Sequence, residues 1–203
     1  MTKRLIGLTG GIATGKSTVA NYLHSAYNLP ILDADIYARD AVSIGSSTLA
    51  QIAARYGQEI LLSDGNLNRQ KLGEIVFKES EERTWLESVI HPYVRNCFSQ
   101  AINESSANTL VLVIPLLFEV GLENLVSEIW VVYCSPEQQQ QRLIQRNHLN
   151  SEQAAARINS QLPIAEKVAK ADIVLDNSST LESFLEQVDV AIKKNIDITK
   201  LPI

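Results

Sequence analysis

Cysteine and histidine are scarce in this chain, with two of the first and three of the second among 203 residues. Cys97 and Cys134 lie far apart, form no Cys-x-x-Cys pair and have no histidine cluster near them. That spacing excludes a zinc site or a disulfide framework and reads as reduced thiols in a cytoplasmic setting. Cys134 closes an apolar run and reads as a small buried hydrophobe. Positive charge is also in short supply: 18 Lys and Arg stand against 23 Asp and Glu, a net charge of −5. A general nucleic-acid binder needs basic surface to displace counterions, so nucleic acid is excluded as a partner class. Long apolar runs are missing too. The longest, Leu110 to Phe118, is about half a bilayer span and contains Pro115. Met1-Thr2-Lys3-Arg4 leads into Leu5-Ile6-Gly7-Leu8, too short for the apolar core of a signal peptide. Membrane and export are therefore not expected. There is no internal repeat, and the glutamine run Gln138 to Gln141 reads as the solvated face of a helix. Trp85 and Trp130 occupy apolar positions and read as core.

What the chain does contain is Gly10-Gly11-Ile12-Ala13-Thr14-Gly15-Lys16-Ser17-Thr18, directly after an apolar run. This matches the phosphate-binding P-loop pattern, Gly, four residues, Gly-Lys-Ser/Thr. Glycines let the backbone curl so that successive N–H groups face phosphate oxygens, and a helix beginning near Lys16 adds the positive end of its dipole. Gly11 to Thr18 are thus the candidate nucleotide-binding residues, with Lys16 for the β/γ-phosphates and Ser17 for Mg²⁺. Val19, Tyr22 and Leu23 recur at helical spacing behind the loop, as the motif's context requires.

Leu29-Pro30-Ile31-Leu32 reads as a second short strand ending in Asp33-Ala34-Asp35. Ligands bind at the C-terminal edge of open parallel sheets, which directs these acids toward the phosphates. From Ala34 to Asn108 the patterns are helical: 36–42, 49–56, 67–77, 81–90 and a helix opening at Pro92, where proline suits a first turn. So much helix between two strands exceeds what a crossover needs and predicts an inserted helical subdomain over 36–108. Buried strands are expected at Thr109–Ile114, Ile129–Cys134 and Ile173–Leu175. Helices are expected from Pro136, capped by Ser135, from Ser151, over Pro163–Lys170 and over Thr180–Lys194. The tail 195–203 shows no pattern. The fold class is therefore α/β: one domain over 1–203, a five-stranded doubly wound parallel sheet of P-loop kinase type, with the inserted subdomain and a helical lid over 136–170.

A P-loop alone does not name the reaction. The guanine signature Asn-Lys-x-Asp does not occur, and the strongest strand ends in Ile114-Pro115 rather than in a Walker B acid. A P-loop paired with an acid after the second strand suits a small-molecule kinase. There a carboxylate accepts the proton of an attacking hydroxyl while arginines close over the transferred group. Asp33 is the candidate base, its competing role being a helix N-cap, which Asp35 could equally fill. Arg142 and Arg146 share a helix face and, with Arg157, are candidates for the lid; the competing role is a solvated basic face paired with Glu137 or Glu152. His91, before Pro92, suits capping or packing. Other acceptors with a hydroxyl group, such as nucleosides, nucleotides or shikimate-like acids, remain open, as does a nucleotide-dependent switch.

Several further residues carry a resemblance: Gly7-Leu8-Thr9-Gly10-Gly11-Ile12, Asp33-Ala34-Asp35 with Arg39, Leu67-Asn68-Arg69, Val76-Phe77, His91-Pro92 and Pro115-Leu116-Leu117-Phe118-Glu119. Arg142 with Arg146, Arg157, Gln161 with Pro163, Glu166-Lys167, and Ala171-Asp172 with Asp176-Asn177 complete it. In this order, from residue 7 to 177, the chain resembles the dephospho-CoA kinase family. The resemblance implies transfer of the ATP γ-phosphate to the ribose 3′-hydroxyl of dephospho-CoA, the last step of coenzyme A synthesis. It implies Asp33 as base, Thr9 near it, and Arg39 and Arg69 toward the acceptor, with Asp35, His91, Leu117, Glu119 and Arg157 on that side. Arg142 and Arg146 belong to the lid and Asn177 lies near the adenine. Ala13-Thr14 stand where Gly-Ser is common, which keeps small side chains and a hydroxyl. Oligomeric state is not encoded in any pattern here.

Overall fold

The structure, a computed structural model, describes residues 3–194; the tail 195–203 and the first two residues of the N-terminal segment lie outside them. In chain order the elements open with β1 (Arg4–Gly10), α1 (Lys16–Tyr27), β2 (Ile31–Asp33), α2 (Ala34–Asp40), α3 (Ser47–Tyr56), α4 (Arg69–Lys78) and α5 (Ser80–Glu104). They continue with β3 (Thr109–Val113), β4 (Glu128–Tyr133), α6 (Pro136–Asn147), α7 (Ser151–Asn159), α8 (Ile164–Ala169), β5 (Ile173–Asp176) and α9 (Leu181–Lys193). The chain divides into two compact units, one formed by residues up to Leu32 and from Ser106 onward, the other by Asp33–Ser105.

The first unit holds a five-stranded sheet in the order β2-β3-β1-β4-β5. β1 sits at its centre, parallel to β3 with Leu5 opposite Leu110, and parallel to β4 with Leu8 opposite Trp130. β5 joins β4 in parallel. After β1 the chain moves to one side of the sheet, and after β3 it crosses to the other. The C-terminal end of β1 is therefore the switch point at which such sheets bind ligands. The doubly wound sheet expected from the alternating pattern is what forms. Helices cover both faces, so the strands are apolar without alternation: Leu110, Val111, Leu112 and Val113 are all buried. Ile6, Leu8, Trp130 and Val132 pack in one cluster with Val19 and Leu23 of α1 and Phe184 and Val188 of α9. Each such side chain contributes roughly 1.5–3 kcal/mol on burial. A polar pin joins α1 to α9: Tyr22 and Tyr27 both donate to Asp189 Oδ1 at 2.7 Å. Accepting these two bonds holds the Asp189 carboxyl below its ordinary range.

The second unit is helical, with Val42, Leu49, Ile52, Ile60, Leu67 and Leu72 as its core. Ser46 caps α3 through the Leu49 amide and Asn68 caps α4 through the Lys71 amide, which fixes where these helices begin. An isolated antiparallel bridge, Leu61 to Leu67, closes a short loop. Arg55 donates to both oxygens of Glu82, at 2.7 and 2.6 Å, and lies 4.5 Å from the ring centroid of Trp85. The sequence expectation fails at Pro92: α5 runs through it as one helix rather than starting there. Proline deletes one backbone hydrogen bond, but side chains on both sides of it are held by packing. Trp85, Leu86 and Ile90 lie against the core cluster, and Val94 and Phe98 are buried further along.

Candidate active site

The loop 11–15 links the central strand to α1, and two of its corners demand glycine. Gly10, at the end of β1, adopts φ +144°, and a Cβ there would clash with the Val132 carbonyl oxygen; Gly15 adopts φ +113°, and a Cβ would clash with Asn177 Nδ2. The loop turns its carbonyls toward protein donors. Lys16 Nζ donates to the Gly10 and Gly11 carbonyls at 3.2 and 2.7 Å, and Thr14 Oγ1 also donates to Gly11. Gln139 Nε2 donates to the Ile12 carbonyl at 2.9 Å and Asn177 Nδ2 to that of Thr14 at 2.8 Å. With these carbonyls engaged, the glycine-bearing turn at the N-terminus of α1 is suited to an anion. Thr14 is wholly buried and Ser17, in the first turn of α1, is exposed.

Helix α6 starts at Pro136, with Ser135 accepting from the Gln138 amide. Its glutamine run is not the solvated face that composition suggests. Gln139 is 3% exposed, because helical period sets it one turn before the buried Leu143, and Gln138 Nε2 donates to the Ser178 carbonyl. Arg142 donates to the Asn177 carbonyl at 2.9 Å, and Arg146 to Asn147 Oδ1 at 2.9 Å. These contacts, not Glu137 or Glu152, engage the two arginines. Arg157 of α7 is exposed. Asn177 itself follows β5, so one residue links Thr14 of the loop to Arg142 of α6.

On the β3 side, the Pro115 carbonyl accepts from Thr9 Oγ1 and from Lys167 Nζ, each at 3.2 Å. Lys167 is wholly buried and pairs with Glu119 Oε1 at 2.7 Å, and the same oxygen accepts from the Leu162 amide at 3.0 Å. Thr9 and Glu119 are thereby engaged within the protein, and Leu117 is fully buried. The neighbouring Gln161 accepts from the Ile12 amide at 2.9 Å. The buried lysine and the three amide side chains Gln139, Gln161 and Asn177 have no common local pattern. Of these, only Asn177, Gln161 and Lys167 carried a signal, as members of the quoted resemblance.

The remaining candidates, Asp33, Asp35, Arg39, Arg69 and His91, belong to the second unit. Asp33 closes β2 and caps α2, its Oδ1 accepting from the Asp35 amide at 2.8 Å, so Asp33 and not Asp35 is the cap. Arg39 and Arg69 are brought together, with Arg69 donating to the Arg39 carbonyl at 3.3 Å. Both line a cavity of about 440 Å³, along with Asp35, Val42, Leu72 and Ile90. One acidic and two basic side chains above an apolar floor can receive a charged, partly apolar molecule. His91 is half-buried next to Ile90, and burial lowers its pKa below the ordinary imidazole value.

A central-strand P-loop on a doubly wound sheet, backed by an arginine-bearing helix, defines the class of P-loop kinases. Comparison with known proteins narrows it. The family model for dephospho-CoA kinase matches residues 4–183. Dephospho-CoA kinase of Trichormus variabilis is 70% identical over 192 residues, covering 95% of this chain and 98% of that protein. Among solved structures, TT1252 from Thermus thermophilus superimposes with a TM-score of 0.83 at 32% identity, covering 97% of this chain and 100% of that one. Dephospho-CoA kinase from Campylobacter jejuni gives a TM-score of 0.70 at 31% identity, covering 95% and 96%. The chain belongs to the dephospho-CoA kinase family.

Proposed function

We propose that the protein transfers the γ-phosphate of ATP to the ribose 3′-hydroxyl of dephospho-CoA, yielding coenzyme A. The observation that carries this reading is the loop 10–17, whose carbonyls accept from Lys16, Thr14, Gln139 and Asn177, in a chain of this family. Amides at the start of α1 would hold the β-phosphate, and Lys16 would move from loop carbonyls to phosphate oxygens, an exchange of neutral for charged acceptors that strengthens its hydrogen bonds. Asp33 is assigned as the base. One of its oxygens caps α2, and a carboxylate has a second with which to accept the hydroxyl proton. Arg142 and Arg146 are assigned to charge developing on the transferred group, with Arg157 on the same lid, residues 136–170. Asn177 is placed beside the adenine. Arg39, Arg69, Asp35 and His91 are assigned to the acceptor within the inserted subdomain. Thr9, Leu117 and Glu119 are assigned to acceptor binding from the first unit.

Among the described residues no cluster of three or more His, Cys, Asp or Glu offers a metal cage. The exposed Ser17 hydroxyl in the first turn of α1 would hold Mg²⁺ arriving with the nucleotide, since this ion keeps several waters and needs few protein ligands. When bound, it neutralises charge on the β- and γ-phosphates. The setting proposed is the cytoplasm, where two free thiols stay reduced. The test is mass spectrometry of dephospho-CoA incubated with the protein, ATP and Mg²⁺. One added phosphate on the acceptor is expected. ADP release with another hydroxyl acceptor and none with dephospho-CoA would overturn the reading.

A further inference from the structure

Both polar groups of one loop residue are held from outside the loop. The Ile12 amide donates to Gln161 Oε1 at 2.9 Å, and the Ile12 carbonyl accepts from Gln139 Nε2 at 2.9 Å. Gln139 comes from α6 and Gln161 from the connection between α7 and α8, segments far from the loop in sequence. The residue that follows, Ala13, has φ +61°, a left-handed conformation that a side chain with a Cβ disfavours. A backbone in such a region persists only where its surroundings over-determine it. Here the surroundings are two amide side chains, one supplying the acceptor and the other the donor.

We infer that Gln139 and Gln161 are positioning residues that clamp Ile12 and so hold Ala13 in the left-handed turn from which the loop receives the triphosphate. The inference rests on the proposed nucleotide site and deepens it. The clamp removes the Ile12 amide from the set offered to an anion and leaves the phosphate to the amides beyond it. It also ties the loop to the arginine-bearing helix. Gln139 lies one turn before Arg142 along α6, so a displacement of that helix must stretch the bond to Ile12. Gln161 is anchored in turn, because the next amide, Leu162, donates to Glu119, which pairs with the buried Lys167. Methionine is the informative replacement at either position: it keeps length and volume and removes the hydrogen bond.

The experiment is ATP binding by calorimetry with Mg²⁺ present, together with steady-state kinetics, for Gln139→Met, Gln161→Met and the two combined, each with and without Ala13→Gly. Loss of one net hydrogen bond predicts ATP binding weaker by about three- to tenfold for each single variant. The combined variant should fall short of the product, because both bonds hold one residue. KM for ATP should rise, with kcat and KM for dephospho-CoA little changed, and the melting temperature without nucleotide should fall only by the roughly 1–6 °C that one hydrogen bond is worth. A purely structural role predicts that fall in melting temperature with ATP affinity unchanged. Ala13→Gly removes the bias against positive φ, and should restore much of the lost affinity in both backgrounds. Wild-type affinity in the methionine variants, or no recovery with Ala13→Gly, overturns the inference while leaving the function standing. If the wild-type protein binds no ATP, the proposed function itself falls and the inference with it.

Discussion

Removing Glu119 from the Lys167–Glu119 pair should cost more than replacing both partners together. Lys167 is 0% exposed and its ammonium has two acceptors, Glu119 Oε1 at 2.7 Å and the Pro115 carbonyl at 3.2 Å; the Glu119 side chain is 20% exposed. Glu119→Leu leaves an ammonium fully enclosed with one neutral acceptor, the situation that costs about 3–5 kcal/mol. Lys167→Met leaves a carboxylate that water reaches and that keeps the Leu162 amide, so about 1–3 kcal/mol is expected. The double variant abolishes the orphan charge. It still strips partners from the Pro115 carbonyl and the Leu162 amide, so it should lie roughly 1–3 kcal/mol below wild type, no worse than Glu119→Leu alone. At about 2–4 °C per kcal/mol for a chain of this size, Glu119→Leu should lower the melting temperature by roughly 6–20 °C. Urea unfolding of the four proteins closes the cycle, and a coupling of about 4 kcal/mol, and no less than about 1 kcal/mol, is expected. Single-variant costs that simply add in the double variant would refute the argument, because they would mean the two charges do not depend on each other.

Asp33→Asn separates two roles, since asparagine caps a helix as well as aspartate but cannot accept the acceptor's proton: turnover should fall by roughly 10²–10⁴ with ATP binding and melting temperature retained, and normal turnover would remove Asp33 as the base. Gly10→Ala forces a Cβ against the Val132 carbonyl at a φ of +144°, so ATP-dependent thermal stabilisation should disappear; a variant that still binds ATP like wild type would show that the corner can shift. Glu82 titrates at about 2, held down by the Arg55 hydrogen bonds first and the Tyr56 hydroxyl next. A depressed carboxyl stabilises above its unfolded value near ~4.3 and loses that contribution as pH falls toward the folded one. The melting-temperature gap between wild type and Glu82→Gln should therefore be constant above about pH 5 and close between about pH 4 and 2; a gap that persists unchanged at the acid end would contradict the assignment.

The glycine-rich loop between β1 and α1 was legible because its pattern is local. Glycines, a lysine and a hydroxyl at fixed spacing between a strand run and a helical run form one uninterrupted stretch, and the same holds for the apolar runs that became β3 and β4 and for the cap Ser135. Periodicity located the helices of the second unit but placed a boundary at Pro92, because a proline's local preference says nothing of the packing of Trp85 and Phe98 on either side of it. The three side chains that hold the loop come from positions 127, 149 and 163 residues away from their partners. A glutamine at such a distance looks like any other, and Gln139 was indistinguishable from its neighbours until the turn of α6 put it beside the loop rather than in water. Glu119 likewise carries no mark of a buried lysine partner. Local sequence determined the glycine-rich turn proposed to receive a phosphate. Only the tertiary structure decided which amides keep that receptacle open, because hydrogen bonds between distant segments exist only once the chain has folded them together.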